Sequence, residues 1–240
     1  MTSFNPLEAF IYREGFARFC SRKYSTNPEY IHDERIHLTN SSIQKHYLEE
    51  MEATHPAIVA GVNGGGNKVR LTWMWKRLAT QGVDVGTLWK KVNDLCVKTL
   101  CCVEGDIPFQ PNSFEVFGFD VMFDDQLKPW LVEVNACPAL ARESNLDACV
   151  KEEMIIDTVK LVSPPKFNRH ALAKVCKRRL SCSRKVTQTA GTITEKDELE
   201  KDLREILMGK LPRRYGEMPE SIGNYERLAP ATKFYDRLKR

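Results

Sequence analysis

Two carboxylates and a carboxamide, Asp120, Glu133 and Asn135, carry the clearest chemical signal in the sequence. They lie in FEVFGFDVMFDDQLKPWLVEVN, residues 114–135, where two runs rich in Val, Phe and Trp flank Asp124-Asp125-Gln126. Such residues favour a pleated, half-buried surface and the polar triplet favours a turn, so the pattern predicts a β-hairpin. With the turn centred near Gln126 to Leu127, Asp120 falls opposite Glu133, and Asn135, two residues on, shares the face of Glu133. Two carboxylates held this close repel and raise a pKa unless something positive lies between them. A hard divalent cation meets that need. Mg²⁺ takes oxygen ligands in octahedral geometry and is usually held by one or two carboxylates together with substrate phosphates, which points toward a nucleotide. The competing reading is that alternation along a half-exposed hairpin demands polar residues on its wet face whatever they bind. The pattern alone leaves both open.

The elements around this hairpin are legible at coarse grain. Leu7, Ala9 and Ile11 alternate with Glu8, Phe10 and Tyr12 and lead into REGFARFC, which reads as a hairpin of two short strands turning at Glu14-Gly15. A first strand so near Met1 would be an exposed edge unless something upstream covers it, which suggests the later part of a larger fold. Residues 41–53 read as a short helical stretch and GVNGGGNK, 61–68, as a flexible loop. VRLTWMWKRLATQG and VDVGTLWKKVNDLCVKTLCCVEG read as two helices, the second with Leu88, Val92, Leu95 or Cys96, Thr99 and Val103 on its core face. After Pro164-Pro165 the chain becomes basic through KRRLSCSRK, and an amphipathic helix is expected around 195–211 with Leu199, Leu203, Ile206 and Leu207 on one side.

At 240 residues, with 42% apolar and 28% charged residues, the composition is that of a folded globular protein rather than a disordered or fibrous one. No apolar run approaches the ~20 residues of a membrane span, and MTSFNPLEAF has neither a signal nor a transit pattern, so no membrane insertion and a cytoplasmic address are expected. Eight cysteines are scattered without a C-x-x-C pair and the five histidines show no metal spacing, which argues against zinc and disulfides and for inert, mostly buried thiols. Net charge divides unevenly: residues 1–163 hold 17 Lys+Arg against 22 Asp+Glu, and residues 164–240 hold 19 against 10. A basic tail of this kind either seeks an anionic partner or is simply solvated. No RRM, KH or zinc-finger pattern accompanies it, so nucleic acid is the weaker candidate.

FGFD followed by KPWLVEVN, with YREGFARFC at 12–20 and IHLTNSSIQK at 36–45, resembles in the same order the tubulin tyrosine ligase-like family, whose catalytic domain is of ATP-grasp type. The resemblance runs from about Ser3 to Val162, and RFC, HLTN, IQK and the EVN hairpin are most similar to the polyglutamylase branch. It implies an α/β fold: the C-terminal part of an ATP-grasp domain over 1–163, an antiparallel sheet with packed helices, followed by the basic, partly helical tail of 164–240. It implies ATP-dependent joining of free L-glutamate to the γ-carboxylate of glutamates in tubulin tails, through an acyl phosphate. By resemblance Asp120, Glu133 and Asn135 are the Mg²⁺ ligands, with Glu133 the catalytic carboxylate. Thr39, Asn40 and Glu133 contact the nucleotide, and Lys68 pairs the carboxylate of the incoming glutamate. Tubulin and microtubules are the implied partners. The implied location is cytoplasm and cytoskeleton, including the cilium or flagellum axoneme and basal body.

Each transfer has a plainer counterpart in the residues. Thr39-Asn40 suits a strand-to-helix cap, with Ser41-Ser42 following. The loop order Gly66-Asn67-Lys68 is not Gly-Lys-Ser/Thr, so it is no phosphate-cradling Walker loop. Lys68 could be a solvated loop lysine, His37 a structural residue, and Arg13 and Arg18 surface charges without a role. Three features depart from the family. Ala136-Cys137-Pro138-Ala139 follows EVN where many members carry Ser-Pro-Ser, which puts a hydroxyl contact there in doubt. Ser41 stands where several relatives carry an aromatic or aliphatic residue. The family's upstream segment, with its nucleotide-clamping lysine loop, adenine contacts and an arginine for the incoming amino acid, has no counterpart here, so the sequence is read as one jaw of a clamp. The alternative expectation is therefore a non-catalytic microtubule- or complex-binding protein on the same scaffold.

Overall fold

The computed structural model describes residues 1–54, 56, 66–108, 110, 113–183 and 194–239. The glycine-rich loop through Gly65, and Arg184 and Lys185 of the basic run, lie outside the described residues. The chain forms two compact units, one of residues 1–161 with 221–240 and the other of residues 162–220.

The first unit is mixed α/β, built from three two-stranded antiparallel sheets with helices. Strand β1 (Ala9–Tyr12) and β2 (Phe16–Arg18) are followed by the short helices α1 (Glu34–His37), α2 (Ser41–Gln44) and α3 (Leu48–Thr54). Then come β3 (Lys68–Arg70), α4 (Leu71–Thr80), α5 (Val85–Val103), the hairpin strands β4 (Gly118–Phe123) and β5 (Pro129–Asn135), and α6 (Asn145–Val162). Strand β6 (Tyr225–Ala229) and α9 (Lys233–Leu238) complete the unit.

The expected hairpin between residues 7–12 and 16–18 does not form. β1 pairs instead with β6, and β2 pairs with β3. The carboxylate of Glu14 explains why the chain does not reverse at Glu14-Gly15. Buried, it accepts from the amide and hydroxyl of Thr72 at 3.2 and 2.8 Å, while the Gly15 carbonyl accepts from Leu71 N. This fastens the residues after Glu14 to the start of α4. The β1–β6 pairing also corrects the reading of 164–240 as a single tail, since Ser221–Arg240 belong to the first unit. There Glu226 accepts hydrogen bonds from Arg13 and Trp89 at 3.0 Å and from Asn93 at 3.2 Å.

The main core joins Leu7 and Ala9 to Val92, Cys96, Val97 and Leu100 of α5, with Leu228, Ala229 and Tyr235 from the returning segment. The buried face of α5 thus follows Leu88, Val92, Cys96 and Leu100, while Val103 is exposed. Asp84 starts this helix by accepting from Thr87 N at 3.1 Å. The buried Leu88, Val92, Val97 and Leu100 of this helix stabilise by roughly 1.5–3 kcal/mol each.

The second unit holds α7 (Arg169–Ser183) and α8 (Thr194–Ile206). Asn168 caps α7, its Oδ1 accepting from His170 N and Ala171 N at 2.9 and 3.1 Å. Helix α8 ends at Ile206, short of the expected 211, because Met208 adopts φ +53° and Gly209 N donates to the Arg204 carbonyl at 2.8 Å, the bond of a Schellman-type stop. Leu207 is buried, whereas Leu199 is exposed. Arg178 and Arg179 both bind the buried carboxylate of Asp202, and Lys174 reaches Glu205 at 3.6 Å, so part of the basic run is neutralised within its own unit.

Candidate functional site

The β4–β5 hairpin has the register read from the sequence, with Asp120 opposite Glu133 and Gly118 opposite Asn135. Its turn is built by Asp124, which accepts from Gln126 N, Lys128 N and Trp130 Nε1 at 3.0, 2.8 and 2.9 Å and so lets Leu127 take φ +58°. Register shifts next to Asp120, where Val121 pairs with Leu131, leaving Val132 as the extra residue of a bulge. Such a bulge bends its strand and re-aims neighbouring side chains. Phe119 and Phe123 pack against the main core, so the opposite face displays Asp120, Glu133 and Asn135 beside Met122 and Trp130.

The three predicted ligands are brought together. Asn135 Nδ2 donates to Glu133 Oε1 at 3.1 Å, and Asp120 is pushed above the usual carboxylate range by burial, with the neighbouring charge of Glu133 adding to the shift and Arg18 opposing it. Among the described residues no group of three His, Cys, Asp or Glu side chains gathers into a metal cage. The donor set here is two carboxylates and one carboxamide, each offering oxygen, on a face where the charge of Glu133 bears on Asp120. That set fits a hard divalent ion whose remaining ligands come from water or phosphate rather than protein. Opposite Asn135 the absence of a side chain at Gly118 matters, since a Cβ there would stand 3.2 Å from Pro138 and 3.6 Å from Asn135.

Arg18 is a neighbour the sequence reading passed over. It pairs with Lys68 in the β2–β3 register, and its guanidinium lies 3.9 Å from Asp120. Arg18 therefore stands beside the carboxylate pair, and Lys68 is its register partner across the β2–β3 ladder. Lys68 is no solvated loop lysine: it begins β3 and its ammonium binds both oxygens of Asp147 at 2.9 and 3.0 Å. Asp147 is 1% exposed and also receives Ser144 Oγ at 3.0 Å and Lys151 at 3.4 Å. Burial alone would raise its pKa. The hydrogen bonds from Lys68 and Ser144, with the charges of Lys68 and Lys151, outweigh burial and hold it below the ordinary value. Asp147 had a readable local signal in Ser144-x-x-Asp147, the pattern of a helix start, and Asp147 N indeed donates to Ser144 Oγ at 3.1 Å.

Thr39 and Asn40 are held near the same strands by a second overlooked residue, Asn67. Buried, it donates from Nδ2 to the Thr39 carbonyl at 2.7 Å and to the Phe19 carbonyl at 3.1 Å. Asn40 occupies the cap position of α2, but its side chain makes no capping hydrogen bond, so the plainer reading accounts for its backbone and not for its carboxamide. His37 contacts the Tyr30 carbonyl at 3.0 Å, as a structural residue would. Arg13 binds Glu226, away from these groups.

Comparison with known sequences places the chain in a family. Residues 1–171 match the tubulin-tyrosine ligase family, and the chain belongs to that family. It is similar to the human probable tubulin polyglutamylase TTLL2, 37% identical over 162 residues that cover 68% of this chain and 26% of the relative. It is 36% identical to mouse tubulin polyglutamylase TTLL5, over 68% of this chain and 12% of the relative, and 35% identical to human tubulin monoglutamylase TTLL4, over 67% and 14%. The chain thus spans about a quarter or less of the length of these relatives. Among the described residues no helix is long and apolar enough to cross a membrane.

Proposed function

We propose that this chain carries the C-terminal part of an ATP-grasp catalytic site in an ATP-dependent ligase that adds glutamate to glutamate side chains of tubulin tails. The observation that carries the reading is the pairing of Asp120 with Glu133, joined by Asn135, on a face beside Arg18, in a chain whose relatives are named tubulin glutamylases. Asp120, Glu133 and Asn135 would hold Mg²⁺, which would offset the negative charge of ATP's phosphates; in the proposed chemistry a carboxylate takes the γ-phosphoryl group to become an acyl phosphate and ADP leaves. Asn40, its carboxamide not spent on capping, and Thr39 face the nucleotide together with Glu133. Lys68, aimed by Asp147, takes a carboxylate of the incoming glutamate. Arg18 offsets the repulsion within the carboxylate pair and offers a contact for an anionic reacting group. The unit of residues 162–220, with 14 Lys+Arg against 8 Asp+Glu, supplies long-range attraction to the acidic tails of microtubules in cytoplasm, cilium or flagellum.

The test is incorporation of labelled amino acid into tubulin, with ATP and Mg²⁺, by the protein carrying this chain. Glutamate is incorporated and glycine and tyrosine are not, and Asp120→Asn abolishes incorporation while the protein stays folded. Undiminished incorporation by Asp120→Asn refutes the site, and preference for glycine or tyrosine refutes the substrate.

A further inference from the structure

Helix α7 closes on Lys177-Arg178-Arg179-Leu180-Ser181, with two arginines three and two residues ahead of a serine. Ser181 is exposed, and its hydroxyl donates to the Arg178 carbonyl at 2.7 Å in the last turn. Leu180, between the arginines and the serine, is 68% exposed, and among the described side chains of α7 the buried one is Val175, earlier in the helix. The final turn of any helix has carbonyls without intrahelical partners and opens at low cost. A segment from Arg178 onward can therefore be drawn out while the rest of α7 stays in place.

The two arginines are already occupied. Arg179 Nε binds Asp202 Oδ2 at 2.6 Å, Arg178 binds the other oxygen of the same carboxylate, and Arg178 also reaches Glu205 at 3.7 Å. Asp202 is buried and is held below the ordinary carboxylate range chiefly by the Arg179 hydrogen bond. Carboxylates that grip a pair of arginines in this unit are the same chemistry by which a protein kinase with an acidic substrate cleft reads arginines ahead of a serine.

We propose that Ser181 is a phosphorylation site for an arginine-reading protein kinase, and that Asp202 on α8 competes with the kinase for Arg178 and Arg179. The phosphoryl donor is ATP. Ser181 Oγ attacks the γ-phosphorus, the new O–P bond forms as the bond to the β–γ bridging oxygen breaks, ADP leaves with that electron pair, and the hydroxyl proton passes to the kinase's base. The product carries about two negative charges at a helix C-terminus, where the backbone dipole disfavours them, and one turn beyond Arg178, whose guanidinium can grip phosphate with two hydrogen bonds. Phosphate thus draws Arg178 away from Asp202, and the five positive side chains of α7 are opposed by about two charges. This inference is independent of the ligase reading and concerns only the 162–220 unit.

The experiment treats the 240-residue chain with ATP and the catalytic subunit of cyclic-AMP-dependent protein kinase, and maps product by fragment mass spectrometry. One phosphoryl group is expected, on Ser181, and none in Ser181→Ala. Arg179→Ala slows labelling by about tenfold or more. Asp202→Asn speeds it by about threefold or more, because the arginines are released. Glu205→Gln, at a half-buried partner of Arg178, shifts the rate in the same direction with helicity at the wild-type value by circular dichroism. Labelling elsewhere with Ser181 unmodified overturns the site. Equal rates in wild type, Asp202→Asn and Glu205→Gln overturn the competition.

Discussion

Breaking the Lys68–Asp147 pair tests whether the lysine assigned to the substrate is positioned by a buried carboxylate. The ammonium lies 2.9 and 3.0 Å from the two oxygens, with Lys68 14% and Asp147 1% exposed in their side chains. At an effective dielectric of about 20, charges roughly 3 Å apart attract by about 5 kcal/mol. Desolvation offsets part of this, and Lys151 and Ser144 keep serving Asp147 when Lys68 is removed. About 2–3 kcal/mol of coupling should remain in a double-mutant cycle of Lys68→Met, Asp147→Asn and the double variant, measured by urea unfolding. Because the folded pKa of Asp147 is depressed, its contribution is fully present above its unfolded pKa near 4 and is lost as pH falls through the lower folded value. Wild type should therefore lose stability below about pH 4 by more than Asp147→Asn does. A coupling energy below about 0.5 kcal/mol, or identical acid limbs, refutes the claim that this pair is a strong positioning contact.

Other consequences are as specific. Burial pushes the Cys96 thiol up to about 12, so in native protein a disulfide reagent should modify the exposed Cys102, Cys137, Cys149 and Cys176 while Cys96 reacts only at the rate of unfolding. Tyr12 is pushed up to about 12 by burial and by the charges of Asp157 and Glu153, so spectrophotometric titration of wild type minus Tyr12→Phe should show a phenol ionising near 12, with its share of stability lost as pH rises from about 10 to that value. At Gly223, φ +52°, a Cβ would stand 2.1 Å from Asp157, which accepts from Asn224 N at 2.9 Å; Gly223→Ala should cost about 2 kcal/mol or more in urea unfolding by displacing the chain that leads into β6. Microtubule co-sedimentation should weaken with salt, with removal of the acidic tubulin tails and with Lys177→Glu; binding indifferent to all three would rule out electrostatic docking.

The β4–β5 register was readable because both strands and their turn lie within one short segment, where period-two alternation and Asp124 specify the pairing. The partners of β1 and β2 were not, since local pattern at Glu14-Gly15 resembles a turn while the actual contacts span long separations, 213 residues from Arg13 to Glu226. Arg18 likewise looked like a surface charge until β3 set it beside Lys68 and near Asp120. Lys68 has no local signal of its partner 79 residues away, although the helix-start pattern of Ser144 and Asp147 could have been read. The tail was misread for a compositional reason. Its charge is uniform enough to look like one segment, yet Leu228, Ala229 and Tyr235 return to the core.

The central claim is that Asp120, Glu133 and Asn135 form a divalent-cation site completed by nucleotide. Binding of Mn²⁺ to the protein carrying this chain, followed by electron paramagnetic resonance with and without a non-hydrolysable ATP analogue, tests it most directly. The account predicts that the analogue strengthens Mn²⁺ binding and that Glu133→Gln weakens the ternary complex by about tenfold or more without altering unfolding. Equal Mn²⁺ affinity in wild type and Glu133→Gln would contradict it.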